Sequence, residues 1–375
     1  MKKVGVAILG LGVVGGGTYK ILTDNKENFK KYQGLDITVE AVLEKSEERI
    51  KALGINKSVV AESIEEVVSN PNVDIVVEVI GGISVARTFV LKALMSGKTV
   101  VTSNKELFAK YWPELEREAK NMNAGLFFEA TCVGGVPIIR TLKDSMQANN
   151  IKSIKGIING TTNYILTKMA NFGWSYEEAL KEAQRLGYAE FNPTADVEGF
   201  DATYKLSILS SLAFNTKISV DKVHREGITG IAKEDIAYGK QLNYTLKLLA
   251  IGKNTANGVE VRVHPTFISN DNPLASVNDS FNAVHLVGDS VGEIMLYGRG
   301  AGALPTGSAI VSDIIFAARH PEYYYASFDN SDRQHIALRV AQYALIGDCH
   351  FDGGRAQGNR RRKDDHQFFH CHLLL

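Results

Sequence analysis

Cysteine is scarce in this chain, with three among 375 residues. That is too few and too scattered for a disulfide framework, so a reducing, cytoplasmic setting is expected. An excess of one charge sign is missing as well. The 42 basic residues face 42 acidic ones, which leaves no net field to attract nucleic acid or an anionic membrane surface. No apolar run reaches the roughly 18 residues that a membrane helix needs. The opening MKKVGVAILG passes from two lysines into an apolar segment in the manner of a signal peptide. Its glycines arrive after about six apolar residues, however, short of an h-region. Repeats and low-complexity tracts are absent. What remains is an ordinary globular composition, 45% hydrophobic and 22% charged, on a chain long enough for two domains with their own cores.

The first 131 residues alternate regularly. KKVGVAILG, ITVEAVL, VDIVVEVIGG, KTVVTSN and AGLFFEAT read as strands. Helical stretches lie between them at VVGGGTYKILTDN, SIEEVVSN, ISVARTFVLKALMSG and around 111–121. Continuous Val/Ile runs flanked by helices predict a doubly wound parallel sheet of the Rossmann type, covered on both faces. Ser63–Glu66 and Ser175–Glu178 fit the capping box and mark helix starts. From about 136 the rhythm changes to a helical VPIIRTLKDSM, a strand at SIKGIING and three helical stretches up to 214. Strands near 245–252, 259–268, 281–287 and 291–297 follow. This predicts a second, α+β domain whose sheet could serve as a dimer surface. The expected division is 1–135 for the dinucleotide-binding domain, with 300–318 packing back on it, then 136–299 for substrate and dimerisation, and 319–375 as a tail.

Gly10-Leu11-Gly12-Val13-Val14-Gly15 is a GxGxxG between a strand and a helix. The first glycine permits the tight turn, the second lets a pyrophosphate approach the backbone, and the third lets helix pack on strand. Free N–H groups and the positive helix end would hold the phosphates. After the second strand comes Glu44-Lys45-Ser46, with Arg49 one turn on. The acid suits a ribose hydroxyl and NAD, whereas Lys45 and Arg49 suit the NADP phosphate. The balance favours NADP and leaves NAD open.

The stretch NPTADVEGFDATYKLSILSSLAF, 192–214, carries a charged pair where a helix should be apolar. Ala202, Leu206, Ile208, Leu209, Leu212 and Ala213 fall on one arc, and Thr203, Ser207, Ser210 and Ser211 on the other. Asp201 and Lys205 sit inside the apolar arc. On a surface such an i,i+4 pair is worth about 0.3–0.5 kcal/mol, but burying it costs several kcal/mol per ion. A cost of that kind is tolerated where chemistry requires it. A lysine in a cleft beside a nicotinamide is a natural proton donor to a carbonyl oxygen under reduction. Glu190 and Asp196, on the loop feeding this helix, could hold a substrate ammonium group. Ser103 and Lys105 follow the fourth strand, at the carboxyl edge where open α/β sheets bind ligands. There Lys105 could contact cofactor phosphate, polarise a substrate or cap a loop.

Long segments resemble homoserine dehydrogenase: GLGVVG, VEVIGG, TSNKELFAK, EATCVGGVPIIRTL, INGTTNYILTKM, EAQRLGYAEFNPTADVEGFDATYKL and YGRGAGALPTGSAIVSD. They run in order from residue 3 to about 318. The resemblance implies interconversion of L-aspartate 4-semialdehyde and L-homoserine with NAD(P), on the branch to threonine and methionine. It implies Lys205 as proton donor, Lys105 at cofactor and substrate, and Glu190, Asp196 and Asp201 as substrate acids beside Asn159, Gly160 and Thr161. Gly81, Ser103, Gly187 and Gly302 would approach the cofactor. It further implies a structural monovalent cation, Na+ or K+, held by Glu129 and the carbonyls of Cys132, Gly134 and Val136, and a homodimer or homotetramer.

The tail departs from that pattern. SFDNSDRQHIALRV, 327–340, resembles the lead-in to a small regulatory ACT domain, but the expected continuation is missing. Residues 341–375 hold two cysteines, four histidines and the run Arg360–Lys363 without a period. Cys349, His350, Cys371 and His372 lack a finger spacing. A reading frame lost after Val340 is the expectation, and with it the loss of threonine feedback. Two rival functions remain. A semialdehyde dehydrogenase would use Cys132 as nucleophile, and a non-catalytic NADP sensor would need the glycine loop but not Lys205.

Overall fold

The computed structural model describes residues 1–320 and the short strand His372–Leu373. The expectations for 327–371, including the tail cysteines, lie outside the described residues. The N-terminal half is built on strands β1 (Lys2–Leu9), β2 (Leu35–Leu43), β3 (Ile75–Glu78), β4 (Thr99–Thr102) and β5 (Leu126–Phe127). They form one parallel sheet in the order 2-1-3-4-5. Its central strands are buried on both faces because their Val/Ile runs offer no polar side to solvent. Helices α1 (Val13–Asp24), α2 (Glu47–Ala52), α3 (Ile64–Ser69), α4 (Ser84–Met95) and α5 (Lys105–Asn121) connect the strands. Ser63 caps α3 by accepting from the Glu66 N–H, but the Glu66 carboxylate reaches the N–H of Glu62, one residue before the cap.

Two boundaries differ from the sequence reading. Helix α5 begins at Lys105, not near 111, because Asn104 caps it by accepting from the Leu107 N–H at 3.1 Å. Pro113 is therefore inside the helix rather than at its start. The strand expected over 124–131 shrinks to Leu126–Phe127, and Glu129–Thr131 turns into a 3₁₀ segment.

The second half carries β6 (Ile151–Ile157), α6 (Gly160–Phe172), α7 (Tyr176–Arg185) and α8 (Phe200–Ala213). It continues with β7 (His224–Arg225), α9 (Lys233–Gln241), and β8 (Tyr244–Thr255), β9 (Gly258–Ser269), β10 (Phe281–Gly288) and β11 (Gly292–Arg299). Strands 11-10-6-8-9 pair antiparallel, and β7 and the strand at His372–Leu373 both add parallel to β9. The capping box at Ser175 and Glu178 opens α7 as expected. Helix α9 had no counterpart in the sequence reading: its charged segment KEDIAYGKQ shows little apolar periodicity.

Helix α8 is not two-faced. Thr203, Ser207, Ser210 and Ser211, expected on the outer arc, are buried along with the apolar residues. Ser207 Oγ donates to Ile218 O at 2.6 Å and Ser211 Oγ to Ser207 O at 2.6 Å, so small hydroxyls turn back onto carbonyls and let the helix run through the interior.

The chain then returns to the first sheet as α10 (Ala303–Arg319). Ile310, Val311 and Ile314 join the core of Val4, Val6 and Ile8, each burial being worth about 1.5–3 kcal/mol. Where α10 meets α1, a Cβ on Gly17 would lie 2.1 Å from Ala303 O, so only glycine allows this approach.

Candidate functional site

Strand order reverses between β1 and β3, and a cleft of about 900 Å3 opens beyond the carboxyl ends of these strands. One wall is formed by Val13, Val14, Val79–Gly82 and Ser103–Glu106. The facing wall is formed by Asn159–Thr161, Leu186–Tyr188, Glu190, Asp196, Asp201 and Lys205, with Ser280 and Arg299–Gly302 at the side. Sequence-predicted residues more than a hundred positions apart thus share one cavity.

The glycine loop borders it through Val13 and Val14, whereas Gly10, Leu11, Gly12 and Gly15 are not among the lining residues. Gly10 has φ +97°, a left-handed turn that only glycine takes readily. A Cβ on Gly15 would fall 2.0 Å from Gly10 O, whereas one on Gly12 would meet no protein atom within 4 Å. Packing explains Gly15, whereas Gly12 leaves open space at the α1 N-terminus, room that a pyrophosphate can use. These residues fit a dinucleotide. Glu44 accepts from the N–H groups of Leu11 (2.7 Å), Lys45 (2.8 Å) and Ser46 (2.9 Å), and Arg49 lies 3.5 Å from it. Burial works to raise the Glu44 carboxyl, but these donors hold it below the usual range. Glu44 therefore braces the loop, while the Lys45 and Arg49 side chains are exposed.

At the centre of the cleft one carboxylate stands between two ammonium groups. Asp201 Oδ2 lies 2.7 Å from Lys205 Nζ and Oδ1 lies 3.0 Å from Lys105 Nζ. Lys205 also donates to Ile158 O at 2.9 Å. Asn159 ties this group to the helices: its Oδ1 caps α6 by accepting from the Thr162 N–H at 2.8 Å, while its Nδ2 donates to Asp196 (2.7 Å) and Asp201 (2.9 Å). Burial opposes the charge on Asp201, yet the two lysines and Asn159 overcome it and hold the carboxyl well below its ordinary value. Asp201 in turn raises Lys105. Asp196 shifts upward, first through burial and then through the neighbouring Asp201. Lys105 occupies the first turn of α5, where a cation opposes the helix dipole. Such a placement needs Asp201 to offset it.

Glu190 and Gly187 are exposed on the loop at the cleft mouth, and Thr161 Oγ1 donates to Tyr188 O at 2.6 Å, fixing that loop to α6. The sequence reading missed Glu78. It is fully buried at the end of β3, accepts from Thr102 Oγ1 at 2.7 Å and from the Ile80 N–H at 2.9 Å, and is raised by burial. It shapes the Ile80–Gly82 turn; an acid closing an otherwise apolar strand was the available signal.

Glu129 lies behind the cleft, 1% exposed, accepting from the N–H groups of Ile139 (2.8 Å) and Arg140 (2.9 Å). Asp313 of α10 accepts from the Glu129 N–H at 2.8 Å and lies 3.3 Å from Arg140. Burial raises both acids, Asp313 to about 8. The intervening Val133 and Gly134 both adopt left-handed backbone, φ +56° and +57°. For a buried β-branched residue this is strain of the kind found at ligand sites. No cluster of three His, Cys, Asp or Glu side chains suited to a metal occurs among the described residues.

The homoserine dehydrogenase family model matches residues 137–315, and the model for the homoserine dehydrogenase NAD-binding domain matches 10–129. The homoserine dehydrogenase of Bacillus subtilis is 44% identical over 315 residues, covering 84% of this chain and 73% of that protein. That of Neisseria gonorrhoeae is 44% identical over 343 residues, covering 91% and 78%.

The chain belongs to the homoserine dehydrogenase family.

Among solved structures, the homoserine dehydrogenase of Thiobacillus denitrificans superposes with TM-score 0.82 at 43% identity, covering 85% of this chain and 74% of that one. A hyperthermophilic archaeal homoserine dehydrogenase in complex with NADPH gives 0.72 at 30% identity, covering 87% of this chain and 100% of that one. As a homoserine dehydrogenase, the chain is an NAD(P)-dependent oxidoreductase acting on a small-molecule substrate. The rival thiol mechanism has no support. Cys132 is fully buried and burial pushes its thiol up to about 12, the opposite of an activated nucleophile. No helix among the described residues is long and apolar enough to cross a membrane.

Proposed function

We propose that Lys205 is the proton donor in the reduction of L-aspartate 4-semialdehyde to L-homoserine, and the base in the reverse direction. The carrying observation is the count of its donors: an ammonium has three, Asp201 and Ile158 O take two, and the cleft receives the third. A nicotinamide cofactor bound along the cleft would supply the hydride. Lys205 gives its proton to the carbonyl oxygen as the hydride reaches the carbon. Asp201, kept ionised, holds Lys205 in place. Glu190 and Asp196 bind the substrate ammonium group. The α6 N-terminus at Gly160 and Thr161, together with Lys105, receives its carboxylate. NADPH consumption with L-aspartate 4-semialdehyde, comparing the intact chain with Lys205→Ala, tests this. Undiminished turnover in the variant would move the proton to Lys105 or a water.

The preferred cofactor is NADP. With Glu44 engaged by three backbone donors, the exposed Lys45 is left to meet a 2′-phosphate, and Arg49, 3.5 Å from Glu44 and also exposed, can turn to it. The double variant Lys45→Ala/Arg49→Ala should raise the KM for NADPH on the order of tenfold and leave that for NADH unchanged; equal effects on both would reverse the assignment. Gly10–Gly15, Gly81, Ser103, Lys105, Gly187 and Gly302 complete the cofactor path. A structural monovalent cation fits beside Glu129 and the carbonyls of Cys132, Gly134 and Val136. The support is geometric: Val133 and Gly134 hold left-handed backbone beside the buried Glu129 carboxylate, strain of the kind kept at ligand sites. The division at 135/136 and 299/300 follows the two sheets. A homodimer or homotetramer would use the second sheet, where Tyr297 and Val291 stand exposed; light scattering in solution decides it, and a monomer would refute it.

A further inference from the structure

Asn282 is the least expected polar group near the cleft. It is 0% exposed on β10, yet neither its amide oxygen nor its amide nitrogen has a hydrogen-bond partner among the described residues. Leaving both ends of a buried amide open is costly, and native structures seldom do so without a reason. Its surroundings show that the position is enforced. A Cβ on Gly300 would meet Asn282 Cγ at 2.1 Å, and one on Gly160 would meet Asn282 Oδ1 at 3.5 Å and Ser280 O at 2.8 Å. The amide is thus wedged between two glycines, one on the substrate-side wall and one on the strap leading to Gly302.

A second feature holds it there. Asn163 Nδ2 donates to the carbonyls of Val277 (3.1 Å), Asp279 (2.9 Å) and Phe281 (3.1 Å). Lys247, buried at 1% exposure, donates to Asn163 Oδ1, to Val277 O and to Asn278 Oδ1. Asp279 within this frame is left-handed, φ +53°. Two buried side chains therefore clamp the five residues before Asn282, which is how an unsatisfied group is kept from relaxing.

We propose that Asn282 is a positioning residue that couples the two halves of the cleft. In the ligand-bound state its amide takes up bonds to the backbone at Gly160 and Gly300, between which it already stands, and so fixes the spacing of the substrate wall and the strap leading to Gly302. The inference rests on the reaction proposed above. Gly300 and Gly160 are glycines for the same reason: a side chain on either would occupy the place of the amide or of the backbone beside it.

The test uses Asn282→Leu, of similar shape but unable to hydrogen-bond. We expect its melting temperature to equal or exceed that of the wild type, since an apolar group replaces an orphaned amide. kcat/KM for L-aspartate 4-semialdehyde should fall on the order of tenfold. The decisive readout is coupling: L-homoserine should tighten NADPH binding to the wild type, and this tightening should vanish in the variant. A less stable variant with kcat/KM and coupling intact would make Asn282 merely structural and overturn the proposal, as would absence of coupling in the wild type. Asn282→Ser, smaller and still polar, covers the case in which leucine does not fold; failure of both to fold also overturns it. If the wild type showed no turnover of the semialdehyde, the reaction assignment would be at fault instead.

Discussion

Two charge clusters centred on buried carboxylates lie on either side of Cys132, and they are built as opposites. At Lys105–Asp201–Lys205 one carboxylate serves two ammonium groups and opens on the cleft. At Glu129–Arg140–Asp313 two buried carboxylates share one partly exposed guanidinium behind the cleft. The first drives its acid down and the second drives both acids up. Cys132 bridges them, its N–H bonded to Glu129 O at 3.4 Å and its Sγ 3.8 Å from Lys205 O. Burial is common to both, so burial alone does not make a reactive centre. What separates them is which sign is left over and whether it faces a space that a substrate can enter.

The largest effect is expected at Lys205. Lys205→Ala should lower kcat by about 10²–10⁴-fold, the usual worth of a positioned acid or base, with NADPH affinity retained; stopped-flow turnover and fluorescence binding check both. Arg140→Leu should act on the fold instead. Removing the cation that the buried Glu129 and Asp313 share costs up to about 3–5 kcal/mol, read as a large fall in melting temperature. A stable Arg140→Leu protein that had lost only turnover would refute the division of roles.

A smaller effect should appear with pH. The Asp313 carboxyl, ordinarily at 3.8, is pushed up to about 8. The unfolded chain loses this proton first, so the native state binds more protons across that interval and stability falls as pH rises through it. Asp313→Asn should flatten the decline in melting temperature over the same range; a parallel decline in the variant would place the cause elsewhere. The smallest effect is that of the cation. Added Na+ or K+ should raise the melting temperature of the wild type more at high pH than at low, and Glu129→Gln should abolish the difference.

Much of this was legible in the sequence. GxGxxG after a Val/Ile strand, and acid and lysine four apart on a greasy helix, are local patterns whose chemistry follows from spacing. The helix at 233–241 escaped because its sequence lacks an apolar stripe, and the start of α5 because one asparagine decides it. The all-round burial of α8 escaped for another reason: serines that fold back onto carbonyls look the same in one dimension as serines that face water. Asp313 and Asn282 could not be read at all. Each acquires its meaning from a residue more than a hundred positions away, Glu129 for one and Gly160 for the other.

The crossing of α10 over α1 at Gly17 has a consequence for how the molecule is made. Residues 303–319 cover a sheet whose first strand begins at residue 2. During synthesis that apolar face waits, uncovered, while the entire second half is translated. Contacts at such sequence separation form slowly and leave edges and faces open to wrong partners. The nucleotide-binding layer, although first off the ribosome, is completed only when α10 arrives, so its maturation is timed by the far end of the described fold.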